Sequence, residues 1–180
     1  MIADPVNYGS DVSTVTTQAD SIDTNYAAVY WPWLKVPDTQ LGTQRWVPPS
    51  VALGGIYAFN DKVAHPWFAP AGLNRGGLSD VLMAKDRLTH SERDTLYEGR
   101  VNPIASFPNG GGKPTFVIFG QKTLQVTPSA LDRINVRRLM IFVKKQISIF
   151  ANSILFDQNV EVTWNRFKSL ANPFLASVQT

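Results

Sequence analysis

The chain has no cysteine at all and only two histidines, His65 and His90. Zero cysteine excludes a disulfide framework and a thiolate zinc site. Two histidines leave no histidine metal cluster and few candidate bases. Charge is also scarce: Asp, Glu, Lys and Arg together make up 17% of the 180 residues, against an average of about 25%. Long apolar runs are missing too. In the basic half the longest is Leu139 to Val143, far short of the roughly 18 residues that a membrane helix needs. The start, MIADPVNYGS, has neither a basic nor an apolar signal-peptide region.

What is present is apolar and aromatic. Hydrophobic residues are 44% and aromatics 11%, with five Trp and ten Phe. A chain of this length can bury roughly 70% of its unfolded surface. Few charges with many aromatics point to surface buried against other chains. The net charge of +3 is unevenly placed. Residues 1–70 have three basic against six acidic groups, and residues 101–180 have nine against three. A basic C-terminal surface with an acidic partner follows.

Residues 1–20 are polar and rich in Ser, Thr and Asp, which predicts a flexible start. Ser21 to Tyr30 reads as a short helix stopped by Pro32. A strand is expected around Leu34 and Val36. Pro48 and Pro49 open a second helix, because Pro at the first turn has no helical N–H to lose. Gly54 and Gly55 inside that helix cost roughly 1 kcal/mol each relative to Ala, so a close packing contact is expected there. Thr89 and Glu92 form a capping-box pattern for a helix ending near Gly99. Residues 101–107 and 115–126 read as a hairpin around a Gly-rich turn.

Val136, Met140, Val143, Ile147, Phe150 and Ile154 recur at three- and four-residue spacing, one face of a helix. Arg133, Arg137, Lys144 and Lys145 lie on a second face, with Ile141 among them. An isoleucine in a basic strip suits a partner with acidic and apolar surface better than water. A last helix, Val162 to Ser177, is expected to break at Pro173.

No catalytic constellation stands out. His65 precedes a proline, His90 lies in a helix cap, and no G-x-S-x-G elbow occurs. In PNGGGKP, Lys113 is followed by Pro114 rather than Ser or Thr and the flanks read as strands, so a flexible hairpin turn fits far better than a phosphate loop. The basic residues are not interleaved with aromatics as a single-strand nucleic-acid platform requires. No metal or cofactor is expected.

Five segments then line up in order: WFAPAGLNRGG (67–77), LTHSERDTLYEGRVNPI (88–104), FVIFGQKTLQ (116–125), SALDRINVRRLMIFVKKQI (129–147) and ILFDQN (154–159). This series resembles the tail sheath proteins of contractile-tailed bacteriophages. The resemblance runs from about residue 20 to the end. One departure is Arg100, where the family usually has Gly before its Val-Asn-Pro-Ile or Ile-Asn-Pro-Ile, with Gly99 one residue earlier here.

The resemblance implies an α/β to α+β chain. Residues 1–85 would be the end of a subtilisin-like, non-catalytic domain. Residues 86–180 would be an inner C-terminal domain, apparently truncated, with a hairpin and a long basic helix. It implies a structural, non-enzymatic subunit of stacked hexameric rings that contract and drive a tube through the host envelope. Expected partners are other sheath subunits, the tail tube protein, the baseplate and the tail terminator. Nucleic acid and membrane insertion are not expected. The location would be the virion tail, assembled in host cytoplasm. Arg133, Arg137, Ile141, Lys144 and Lys145 would meet the tube or a neighbouring subunit. Thr115, Val117 and Phe119 would lie on an open strand that pairs between subunits. The rival readings are a subtilisin-like hydrolase fragment and a basic nucleic-acid-binding module.

Overall fold

A computed structural model describes residues 1–4, 7–108 and 114–179. The chain divides into two compact units, Met1–Arg137 and Arg138–Thr180.

The first unit is built on a five-stranded sheet of order β1-β2-β7-β8-β5. Its strands are β1 (Ile2–Ala3), β2 (Ala28–Trp31), β5 (Gly77–Leu78), β7 (Val101–Phe107) and β8 (Thr115–Ile118). β1, β2 and β7 run parallel, while β8 is antiparallel to both β7 and β5. A three-stranded antiparallel sheet joins β4 (Thr43–Val47), β3 (Leu34–Asp38) and β6 (Met83–Ala84).

All four residues of β2 are buried. Such a strand is covered on both faces, so successive side chains feed two cores. Ala28 and Tyr30 join Leu53, Ile56, Ile104 and Ile118 on the side of α2 (Pro49–Val63). Val29 and Trp31 join Val15, Ala19, Leu96 and Val101 on the side of α1 (Val12–Asp20) and α3 (His90–Glu98). The Tyr30 and Tyr57 hydroxyls meet at 2.6 Å and tie β2 to α2. Asn60, fully buried, donates to the His65 and Phe68 carbonyls and so holds the loop after α2.

Local signals set several boundaries. Pro49 begins α2 after an extended Pro48. Thr89 and Glu92 make both bonds of the capping box of α3. That helix ends with Gly99 as its cap and Arg100 at φ +61°. The left-handed residue after a helix cap is usually Gly. Here Arg100 takes that conformation, and its guanidinium bonds the Leu124 carbonyl and Asp20.

Asn102 pins the centre of the sheet. It is fully buried. Its amide donates to the Val29 carbonyl at 3.0 Å and the Lys122 carbonyl at 2.8 Å, and its oxygen accepts the Lys122 N–H at 2.6 Å. Gly120 lies so close that a Cβ there would sit 2.8 Å from the Asn102 oxygen.

The second unit contains most of α4 (Ile134–Asn152) and all of α5 (Glu161–Gln179). Phe174 packs against Phe142 at 5.9 Å and against Phe150 at 5.8 Å between ring centroids. Ala171 is the buried residue of α5.

Several expectations are corrected. Residues 1–20 contain β1 and α1, whose N-cap Asp11 accepts from the Thr14 N–H. No helix spans 21–30; Ala28–Trp31 is a central strand. A division near residue 85 cuts through one sheet, because β2 and β7 are hydrogen-bonded neighbours. β8 ends at Ile118 rather than 126 and is not an open edge: Phe116 and Val117 pair with β7 on one side and β5 on the other. α5 runs through Pro173, with Phe174 anchored on two rings beyond it. Among the described residues, no atom outside the helix's own backbone and the flanking residues lies within 4 Å of a Cβ built on Gly54 or Gly55, so packing among them does not require either glycine. The Gly-rich turn at 109–113 lies outside the described residues.

Candidate interaction surface

The five residues expected on one basic face divide into two groups. Arg133 and Arg137 belong to the first unit and are engaged there. Arg133 pairs with Asp132 at 3.1 Å and donates to the Tyr97 hydroxyl. The Arg137 guanidinium lies 3.5 Å from the centroid of the Tyr26 ring, a cation–π contact. Lys122 shares the Tyr97 ring, 4.1 Å from its centroid. Burial, then the Arg133 charge, pushes the Lys122 ammonium below its usual 10.5. These cations are structural before they are available to a partner.

Ile141, Lys144 and Lys145 lie in the second unit and are exposed. Their helical neighbours Met140 and Ile149 are exposed as well, at 49% and 52%. The face is therefore mixed, with two lysines bordered by three large apolar side chains. Helical periodicity assigns Met140 to the inner face, yet Ile134 is the single buried residue of α4. An exposed row of this kind is a candidate interaction surface.

The three strand-pairing candidates lie elsewhere. Thr115 and Val117 are inside the five-stranded sheet, opposite Phe107 and Ala105. Phe119 follows β8 and its N–H donates to the Pro103 carbonyl. Its ring packs 5.4 Å from Phe107 and beneath the Arg93 guanidinium. It borders a cleft of about 430 Å³ that also takes in Ala71, His90, Arg93 and Tyr97. The outer strands of the two sheets are β1 and β5, and β4 and β6.

The two histidines have local roles. His90 pairs with Asp94 one helical turn on, at 2.9 Å, both largely exposed. His65 stacks on Trp67 with ring centroids 4.4 Å apart. Among the described residues no group of three His, Asp or Glu side chains could hold a metal ion. No described helix is long and apolar enough to cross a membrane.

The fold is mixed α/β and resembles those of contractile sheaths. It superposes on the sheath complex of an extracellular contractile injection system, PVC, in the contracted state, with a TM-score of 0.81 and 26% identity, over 99% of this chain and 48% of that one. The contracted helical sheath of the anti-feeding prophage gives 0.74 and 26%, over 99% and 45%. No protein-family model matches.

In sequence, the chain is homologous across nearly its whole length to the tail sheath proteins of phages. It is 38% identical over 178 residues to the tail sheath protein of Vibrio phage KVP40, which is 98% of this chain and 25% of that protein. It is 30% identical over 171 residues to the tail sheath protein of Salmonella phage ViI, 94% of this chain and 26% of that one. The chain spans about a quarter of the length of these relatives. They are structural proteins, not enzymes.

Proposed function

We propose that this chain acts as part of a contractile tail sheath subunit. Subunits would stack as hexameric rings around a tail tube, and contraction would drive the tube through the host envelope. The observation that carries this reading is the similarity to tail sheath proteins over 94% or more of the chain. Baseplate, tail tube and tail terminator are the accompanying partners, in a virion tail assembled in host cytoplasm. A sheet covered by helices on both faces agrees with a subtilisin-like body without catalysis.

The α4 face of Ile141, Lys144 and Lys145 is the contact with the tube or with a neighbouring subunit. Its lysines would pair with acidic groups at roughly 0–1 kcal/mol each. Such pairs are individually weak and fix orientation, so they release on contraction, while the aliphatic residues beside them, over many copies, hold the extended state. The test is co-assembly of the protein with purified tubes, followed by electron microscopy. Striated tubes are expected from the unmodified protein. Lys144→Glu with Lys145→Glu should lower tube occupancy and its salt dependence together. Unchanged occupancy in that variant would remove the α4 face from the contact, and absence of any striated polymer would refute the sheath role.

A further inference from the structure

The turn between α4 and α5 presents an apolar knob. Phe156 is 98% exposed and has φ +69°. A bulky residue in the left-handed region is strained by roughly 1–2 kcal/mol. Such strain persists only where the surrounding structure fixes it. Here the fixing bonds are present. The Asp157 N–H donates to the Ile154 carbonyl at 3.1 Å, the Trp164 indole donates to Asn159 at 2.7 Å, and Arg166 pairs with Asp157 at 3.4 Å. Leu155 and Val162 are exposed at 60% and 78%. Among the described residues nothing accounts for a turn that strains its backbone to hold an aromatic ring in water.

The first unit offers a complementary feature. A groove of about 640 Å³ runs along α2, bordered by Val51, Gly55, Phe59, Leu73 and Leu78. Val51, Phe59 and Leu73 are themselves 61%, 49% and 68% exposed. Gly55 stands open in mid-helix, where a glycine destabilises by roughly 1 kcal/mol. A close-approaching partner explains it. The groove is rimmed by Arg75 and Asp80, and the knob is flanked by Asp157, Glu161 and Arg166, so its excess negative charge can meet Arg75.

We propose that the Leu155–Phe156 knob of one copy docks into the α2 groove of a second copy. The inference rests on the sheath reading above. Knob and groove are unlike surfaces of the same chain, so their contact is heterologous. Repeated in one direction, such contacts generate rings or open helices, and one of the similar structures is a helical sheath.

The absence of cysteine makes the test clean. Full chains carrying Phe156→Cys and Leu73→Cys are mixed under oxidising conditions, with sedimentation recorded in parallel. Both sites are exposed, and unchanged urea midpoints check folding. A disulfide-linked dimer is expected in the mixture and not in either variant alone. Phe156→Asp should raise the concentration needed for half-assembly about tenfold or more, the scale set by burying one Phe side chain. Dimers from Phe156→Cys alone would mean that two knobs meet, and would overturn the proposal. Assemblies that sediment without the mixed cross-link would overturn it while leaving the sheath reading intact. Absence of any assembly by the unmodified protein would overturn both.

Discussion

Removing the Asn102 amide should cost more than any other single polar truncation in the first unit. Asn102→Ala deletes three hydrogen bonds at once and strands the Val29 carbonyl and both backbone groups of Lys122. A buried group left without its partner costs about 1–3 kcal/mol. The Lys122 groups are only partly buried, so the sum is about 3 kcal/mol rather than the full upper range. In urea, with a slope of about 2 kcal/mol/M, the midpoint falls by about 1.5 M at constant slope. Asn102→Asp separates the donor from the acceptor. The carboxylate can still accept the Lys122 N–H, but its second oxygen faces two carbonyls. That environment raises the carboxyl above its usual value near about 3.9. A raised folded value means that stability is present at low pH and lost as pH rises through it. The Asp variant should therefore approach the unmodified protein in acid and fall away toward neutrality, while the Ala variant changes little relative to it. A midpoint shift under about 0.5 M for Asn102→Ala would refute the idea that this amide pins the sheet.

Further outcomes follow from the same geometry. Gly54→Ala should stabilise the chain by about 1 kcal/mol in thermal unfolding, since the position is helical and open. Gly76→Ala should destabilise it, because the new Cβ would sit 2.9 Å from Ala71 backbone that cannot give way. Arg100→Gly relieves left-handed strain but loses the bonds to Leu124 and Asp20; a net loss of about 1 kcal/mol is expected, and a gain in urea unfolding would show that the strain outweighs them. For Lys122 the folded ammonium titrates below 10.5, so between that lowered value and 10.5 the unfolded chain binds more protons. Stability from this group therefore rises with pH across that window, and Lys122→Met should flatten the rise in urea midpoint.

The elements legible in the sequence were those fixed by neighbours in the chain. The Thr89–Glu92 box and the Pro48–Pro49 start are local chemistry, and both form as expected. β2 was illegible because both its faces are buried: Ala28–Trp31 is a continuous apolar run without alternation, which periodicity cannot distinguish from helix. α1 hid for the opposite reason, burying only Val15 and Ala19 in an otherwise polar string. The interaction surface shows the same limit. A helical wheel groups Arg133, Arg137, Ile141, Lys144 and Lys145, although α4 begins at Ile134 and Arg133 before it is extended. It cannot know that Tyr97 and Tyr26, contributed by distant segments, capture the two arginines. What remains on the surface is apolar as much as basic: Met140, Ile141 and Ile149 around two lysines. That changes the expected physics of docking. A purely basic strip would bind through screened charge and fade with salt. Burying a large aliphatic side chain contributes about 1.5–3 kcal/mol and does not fade in this way. The α4 face should therefore keep much of its affinity as ionic strength rises, the lysines fixing orientation and rate while the aliphatic residues supply the hold.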